Sequence, residues 1–250
     1  MAKMQPQLPK STRPSRGGRL KWVPACVVVS LVLPATGFGL AEWVQDRPSA
    51  RAGEETAPVP VFPRPDVSDR PPVRSLQEIL SRPDLIPTHD HPLLGRAAPD
   101  FDLIDSEGTA WNLKGLRADG PVVVVFYHSY CDLCVRQLFD EARDLPLFRE
   151  VGARVVAISA DPPEMTRRRV QESDPFGFPI LSDPENKVAR AYQVFRRAQD
   201  GNPGDRLLHG TFIVDRDGTI RWVNVGDAPF RRDPALLSQL ARIQRLRSGP

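Results

Sequence analysis

Two cysteines three positions apart, in Cys131-Asp132-Leu133-Cys134, can trade electrons, hold a metal, destroy a peroxide or only pack. Thiol chemistry requires a thiolate, and the positive end of a helix dipole stabilises one. The flanking text supplies that setting. The run PVVVVFY at 121–127 has the continuous β-branched character of a strand buried on both faces. After the cysteines, Val135, Leu138, Phe139 and Ala142 recur at helical spacing, and Leu145 and Phe148 extend the face beyond an expected kink at Pro146. A strand therefore delivers Cys131 to a helix N-terminus, and Cys134 follows one turn later on the same side. This layout makes Cys131 the attacking thiol and Cys134 the resolving one. A structural zinc site would need two further ligands at ligand-like spacing, which His89, His91, His128 and His209 do not offer. A purely structural bridge would close too short a loop to stabilise much.

The remaining elements must place this pair. DFDLID and TAWNL, separated by SEG, read as a hairpin, and ARVVAIS at 153–159 reads as a second buried strand. DPPEM at 161–165 opens a helix with Asp161 as N-cap, Pro163 in the first turn and Glu164 completing a capping box. SDPEN at 182–186 opens another in the same way. LHGTFIVDRDGTIRWVNV at 208–225 is two strands joined through Asp-Gly. The last helix presents Leu236, Leu237, Leu240, Ile243 and Leu246 on one face, while Arg167, Arg168 and Arg169 read as a solvated face of an earlier one. The order β-β-β-α-β-α-(β)-α-β-β-α describes an α/β domain: a mixed central sheet with helices on both faces, preceded by an N-terminal β-hairpin.

With 250 residues, 40% of them hydrophobic, the chain can bury a real core, and a net charge of +3 gives no global ground for nucleic-acid binding. The basic excess is local. No acidic residue precedes Glu42, whereas Lys3, Lys10, Arg13, Arg16, Arg19 and Lys21 all precede the apolar stretch 22–40. That is a basic region followed by a segment about the ~20 residues needed to cross a bilayer. Two readings stay open: an uncleaved anchor with its basic end in the cytoplasm, or a secretory signal cleaved near Ala41. Either sends the rest of the chain outside the cytoplasm. Val23-Pro24-Ala25-Cys26 opens the apolar run rather than following it, so Cys26 is not read as a lipidation site. Residues 45–93 are dense in proline and charge and read as a semi-extended tether with a reach of about 40 Å, with SLQEILSR at 75–82 able to form a helical turn or two. The expected organisation is a basic cytoplasmic tail over 1–21, a transmembrane anchor or signal segment over 22–41, a Pro-rich flexible linker over 42–93 and a redox domain over 94–250.

GRAAPDFDLIDSEGTAWNLKGL, VVVVFYHSYCDLC, VVAISADPPE, FPILSDPENKVARAYQV and HGTFIVDRDGTIRW together resemble the redoxin group of the thioredoxin superfamily, which includes alkyl hydroperoxide reductase/thiol-specific antioxidant proteins and thioredoxin-like reductases. The resemblance spans about Gly95 to Leu246 and implies a thioredoxin fold. It divides at the active site. Thiol peroxidases of the group carry T-x-x-C and an arginine on the strand opposite. Here Cys131 takes the threonine position, Cys134 the peroxidatic position, and His209, at the start of His209-Gly210-Thr211-Phe212, stands where the arginine would be. FYHSYCDLC instead matches the aromatic C-x-x-C segment of the reductases, with Tyr127 and Tyr130 in the aromatic places. Against that second pattern, Gly210 replaces a cis-proline and Val125 a buried acid, and Asp132 puts a negative charge next to the sulfur that opposes the thiolate.

The resemblance implies a catalytic set of Cys131, Cys134 and His209, with His209 donating to a Cys131 thiolate or a bound peroxide. His128, Tyr130, Asp161, Gly210 and Thr211 support it. The implied activity is a membrane-tethered, exported thiol–disulfide oxidoreductase acting on protein thiols or disulfides near the membrane, with no metal or organic cofactor. A thiol-dependent peroxidase acting on a hydroperoxide is the alternative. A copper-delivery module, holding soft Cu(I) on both cysteines and His209, is the second alternative.

Overall fold

The computed structural model describes residues 74–248, apart from 172–175, 197–203 and 205. The tail, the apolar stretch and the first part of the proline-rich segment lie outside the described residues. Among the described residues, no helix is long and apolar enough to cross a membrane.

The centre of the fold is β3 (Val122–Phe126), in which every residue is buried. It is flanked on both sides, parallel to β4 (Arg154–Ser159) and antiparallel to β8 (His209–Val214). A strand covered on both faces and both edges has no use for polar alternation, which accounts for the unbroken valine run. β5 (Ile180–Ser182) continues the parallel set beyond β4, and β9 (Ile220–Gly226) closes the other edge against β8. β1 (Asp102–Asp105) and β2 (Ala110–Asn112) pair antiparallel across a turn in which the Asp105 carboxylate accepts the N–H groups of Glu107 and Thr109. This pair precedes the other strands in the chain, as expected, but is not separate from the sheet. β1 also pairs with β5, so the two strands form an edge of one seven-stranded mixed sheet of order β2-β1-β5-β4-β3-β8-β9.

Strand alternation divides the core into two layers. Val123, Val125, Ile213 and Trp222 face α3 (Asp132–Glu150) and α6 (Asp233–Ser248), while Val124, Phe126, Phe212 and Val223 face the short helices α2 (Leu113–Leu116) and α5 (Lys187–Ala191). α3 runs unbroken through Pro146, which lies on its exposed face. α6 buries Leu236, Leu237, Leu240 and Ile243 as expected, but Leu246 is exposed. Asp183 caps α5, accepting the N–H groups of Lys187 and Ala189. A separate two-stranded ribbon pairs β6 (Phe195–Arg196) with β7 (Arg206–Leu207), in text that carries no strand signal.

The end of the proline-rich segment is not a tether. Ser75 caps α1 (Leu76–Ser81) by accepting the Glu78 N–H, and Leu76 and Ile79 are buried in the α3–α6 layer. Beyond it, the Ile86 carbonyl accepts from Trp222 Nε1 and Gln239 Nε2, and the His89 N–H donates to Val223. Residues 75–89 thus belong to the folded unit, because α6 presents apolar surface that Leu76 and Ile79 of α1 cover.

Register sets the site. Phe126, the last residue of β3, pairs with Gly210, so the chain leaves β3 for the cysteines directly beside His209. Gly210 is there by necessity of space: a Cβ would come within 2.5 Å of Val194 Cγ1 and 2.9 Å of Phe212 Cε2, both in buried side chains. Gly210→Ala should lower the urea unfolding free energy by about 1–3 kcal/mol, the usual range for overpacking a filled core. An unchanged urea midpoint would show that the neighbours yield freely.

Candidate active site

Cys131 is the N-cap of α3. Its Sγ accepts the Cys134 N–H at 3.3 Å, and its carbonyl accepts from Cys134 and Val135. The same N–H and the helix N-terminus would favour a thiolate at Cys131 once the pair is reduced. The two sulfurs are joined in a disulfide. Cys131 is partly exposed, whereas Cys134 is wholly buried, so an incoming partner meets Cys131.

His209 stands at the start of β8 with Nδ1 3.4 Å and Nε2 3.7 Å from the Cys134 sulfur. This departs from the expected partnership with Cys131: β8 enters below the disulfide and meets its buried half. Burial, then the neighbouring His128 and Arg206, push the His209 pKa down to about 4. At neutral pH the ring is uncharged and able to take a proton from Cys134, not to act as a cation for a thiolate. His128 packs edge-on against it with ring centroids 4.8 Å apart, and its Nε2 is held 2.8 Å from the Leu207 carbonyl of β7. His128 too is lowered, chiefly by burial. The sulfurs of Cys131 and Cys134 and a ring nitrogen of His209 lie within 4.8 Å of one another, a donor set of soft-metal type when the sulfurs are free.

The other supporting residues sort differently. Thr211, two positions along β8, is buried, and its hydroxyl accepts from Gln137 Nε2, which also donates to Glu141 Oε1. Gly210 lies on the opposite face of β8 and shapes the core rather than the sulfurs. Asp161 does not cap the helix it precedes. Its carboxylate turns inward, accepting the Ser129 hydroxyl at 2.9 Å with Arg169 Nε at 3.3 Å, and the Pro162 carbonyl opens α4 (Pro163–Gln171). Burial raises the Asp161 pKa, opposed by the Ser129 hydrogen bond and by Arg169. Arg169 is therefore no part of a solvated face: it is 2% exposed, with its guanidinium 4.5 Å from the centroid of the Tyr130 ring. Arg167 and Arg168 are exposed as expected.

Sequence reasoning passed over Gln137 and Glu141 and took Arg169 for solvated surface. All three lie on helix positions facing the core, and Arg169 shares its face with the buried Thr166 at i−3. Glu141 is fully buried, and burial pushes its pKa up to about 8 against the opposing Gln137 hydrogen bond. The folded state therefore keeps a proton that the unfolded chain releases, and stability falls as pH rises from about 4.5 to about 8. Glu141→Gln, which keeps the Gln137 contact without the charge, should raise the melting temperature relative to the parent at pH 9 and little at pH 5. An equal shift at both pH values would deny Glu141 that proton.

A partly exposed cysteine bonded to a buried one at a helix N-terminus, on a mixed seven-stranded sheet of thioredoxin type, defines a thiol-based oxidoreductase. The AhpC/TSA family profile matches residues 94–223, and the chain belongs to that family. It is 35% identical over 147 residues to alkyl hydroperoxide reductase E of Mycobacterium tuberculosis, covering 57% of this chain and 92% of that protein. It is 27% identical over 133 residues to the thiol-disulfide oxidoreductase ResA of Geobacillus kaustophilus, covering 53% and 70%. Among solved structures, peroxidoxin BcpB from Mycobacterium tuberculosis superposes with a TM-score of 0.55 at 28% identity, over 62% of this chain and 99% of that one.

Proposed function

We propose that this redoxin exchanges disulfides with protein partners through Cys131 and Cys134, and does so outside the cytoplasm, held to the membrane through residues 22–40. The observation that carries the chemistry is the disulfide itself, partly exposed at Cys131 and buried at Cys134. In the reducing direction the Cys131 thiolate attacks one sulfur of a client disulfide. The client S–S bond breaks, the departing sulfur takes a proton, and a Cys131–client disulfide forms. His209 then takes the Cys134 proton, and the Cys134 thiolate attacks the Cys131 sulfur. The second client thiol leaves, so the client has gained two electrons and two protons and the protein holds its disulfide. Oxidation of a client dithiol is the same path reversed. The similarity to ResA supports this reading. The tether and the location rest on the basic tail and apolar stretch of the sequence.

The similarity to alkyl hydroperoxide reductase E favours a second reading, in which a hydroperoxide is the oxidant. The site departs from the peroxidase pattern where peroxide is handled. A second cysteine replaces the threonine, the sulfur at the peroxidatic position is the buried one, and a neutral histidine replaces a cationic arginine. The test is catalytic reduction of insulin disulfides with dithiothreitol as donor. Turnover well above the dithiothreitol background is expected, and a rate equal to that background would contradict the reading.

A further inference from the structure

The turn that delivers Cys131 is gripped side chain by side chain from three different elements. His128 is held by the Leu207 carbonyl of β7, Ser129 by Asp161 after β4, and Tyr130 by Arg169 of α4. Two of these three grips pass through Arg169, which pairs with the carboxylate holding Ser129 and underlies the Tyr130 ring. Placing a guanidinium where it is 2% exposed is expensive, and truncating one partner of such a pair leaves the other buried and uncompensated. Tyr130 is the opposite case: 72% exposed, in the position before the attacking sulfur. An exposed aromatic side chain ordinarily samples its rotamers freely. Here the Arg169 guanidinium carbon lies over the ring, 4.5 Å from its centroid, a cation–π contact in which Lys is not equivalent to Arg.

We propose that Arg169 is a positioning residue for client exchange: it holds the Tyr130 ring as a fixed wall beside Cys131, against which the polypeptide flanking a target disulfide lies. The inference rests on the disulfide-exchange function proposed above and names its substrate class as a disulfide within a polypeptide. A small disulfide has no flanking chain to meet the wall and is indifferent to it. Arg169 touches no reacting atom; it acts through Tyr130.

The experiment uses the full-length chain in mild detergent, reduced, and measures second-order rates with insulin and with hydroxyethyl disulfide. Arg169→Lys keeps a cation for Asp161 and loses the guanidinium over the ring, and Tyr130→Ala removes the wall at an exposed position while leaving the Arg169–Asp161 pair in place. Each should slow reaction with insulin roughly tenfold more than it slows reaction with hydroxyethyl disulfide, the effect of losing one aromatic anchor. The double variant should be no slower with insulin than Tyr130→Ala alone, because both changes remove one wall. Equal loss on both substrates, no loss on insulin, or additive losses in the double variant would overturn the role of Arg169. A parent protein that reacts with neither substrate faster than free cysteine would instead overturn the exchange function, and this inference with it.

Discussion

Cys134→Ser is expected to accumulate a covalent adduct between Cys131 and a client protein, while Cys131→Ser forms none. The reason is the order in which a partner meets the sulfurs. Cys131 caps α3 at the surface, and Cys134 lies wholly buried beneath it. Without Cys134 the first exchange still occurs, but no internal thiol is left to displace the client, so the mixed disulfide persists. Without Cys131 the buried sulfur is out of reach. Both variants should lose catalytic turnover by at least about a thousandfold, and the double variant should lose no more than either, since the two sulfurs act as one unit. Non-reducing electrophoresis followed by peptide mapping reads the result. An adduct at Cys134 in Cys131→Ser would reverse the assignment.

His209→Ala should affect the second step alone. With its pKa down to about 4, His209 is neutral throughout the physiological range and lies 3.4 Å from the thiol that must ionise. Its loss should slow resolution of the mixed disulfide by roughly a hundredfold, within the range of a positioned general base, and leave formation of that disulfide unchanged. The pH profile separates this from a packing defect. Resolution in the parent should be flat above about pH 5, whereas in His209→Ala it should climb with pH until Cys134 ionises unaided near the ordinary thiol range. Stability carries the same signature. The unfolded chain binds a proton at His209 between about pH 6.5 and 4 that the folded state refuses, so the parent loses stability as pH falls through that window. His209→Ala should be less acid-sensitive there. A pH-independent loss in both steps would make His209 structural.

The parts of the fold that were legible in the sequence are those where periodicity and burial say one thing. The valine run of β3, the helix after the cysteines and the Asp-Gly turn between β8 and β9 each carry a local signal that tertiary packing does not overrule. The misreadings come from residues with two valid local roles. Asp161 before two prolines is a good N-cap by composition, but Arg169 and the Ser129 hydroxyl offer its carboxylate more than the helix N-terminus does. Arg169, in a run of three arginines, looks like solvated surface until the helical phase is fixed. Phase then puts it beside Thr166, facing inward. Leu76 and Ile79 are too few to announce a helix within proline-rich text, and only packing against α6 makes them core. β6 and β7 are two residues each and too short for any alternation to register.

The candidate site was legible to the same degree and for the same reason. Cys131 and Cys134 follow from strand, spacing and helix. That His209 belongs with them came from resemblance, but which sulfur it meets depends on the register of β8 against β3, fixed by the Phe126–Gly210 pairing. The polar seam of Thr211, Gln137 and Glu141 beneath the disulfide is a product of two elements facing each other, which neither segment records alone.

The most direct test of dithiol exchange at Cys131 is a stopped-flow comparison on the reduced chain, mixed in turn with a disulfide-containing peptide and with hydrogen peroxide. The site geometry predicts oxidation by the peptide disulfide far faster than that of free cysteine, and oxidation by peroxide no faster than that of a free thiol. Rapid oxidation by peroxide with a sluggish peptide reaction would contradict it and make His209 a working substitute for the peroxidase arginine.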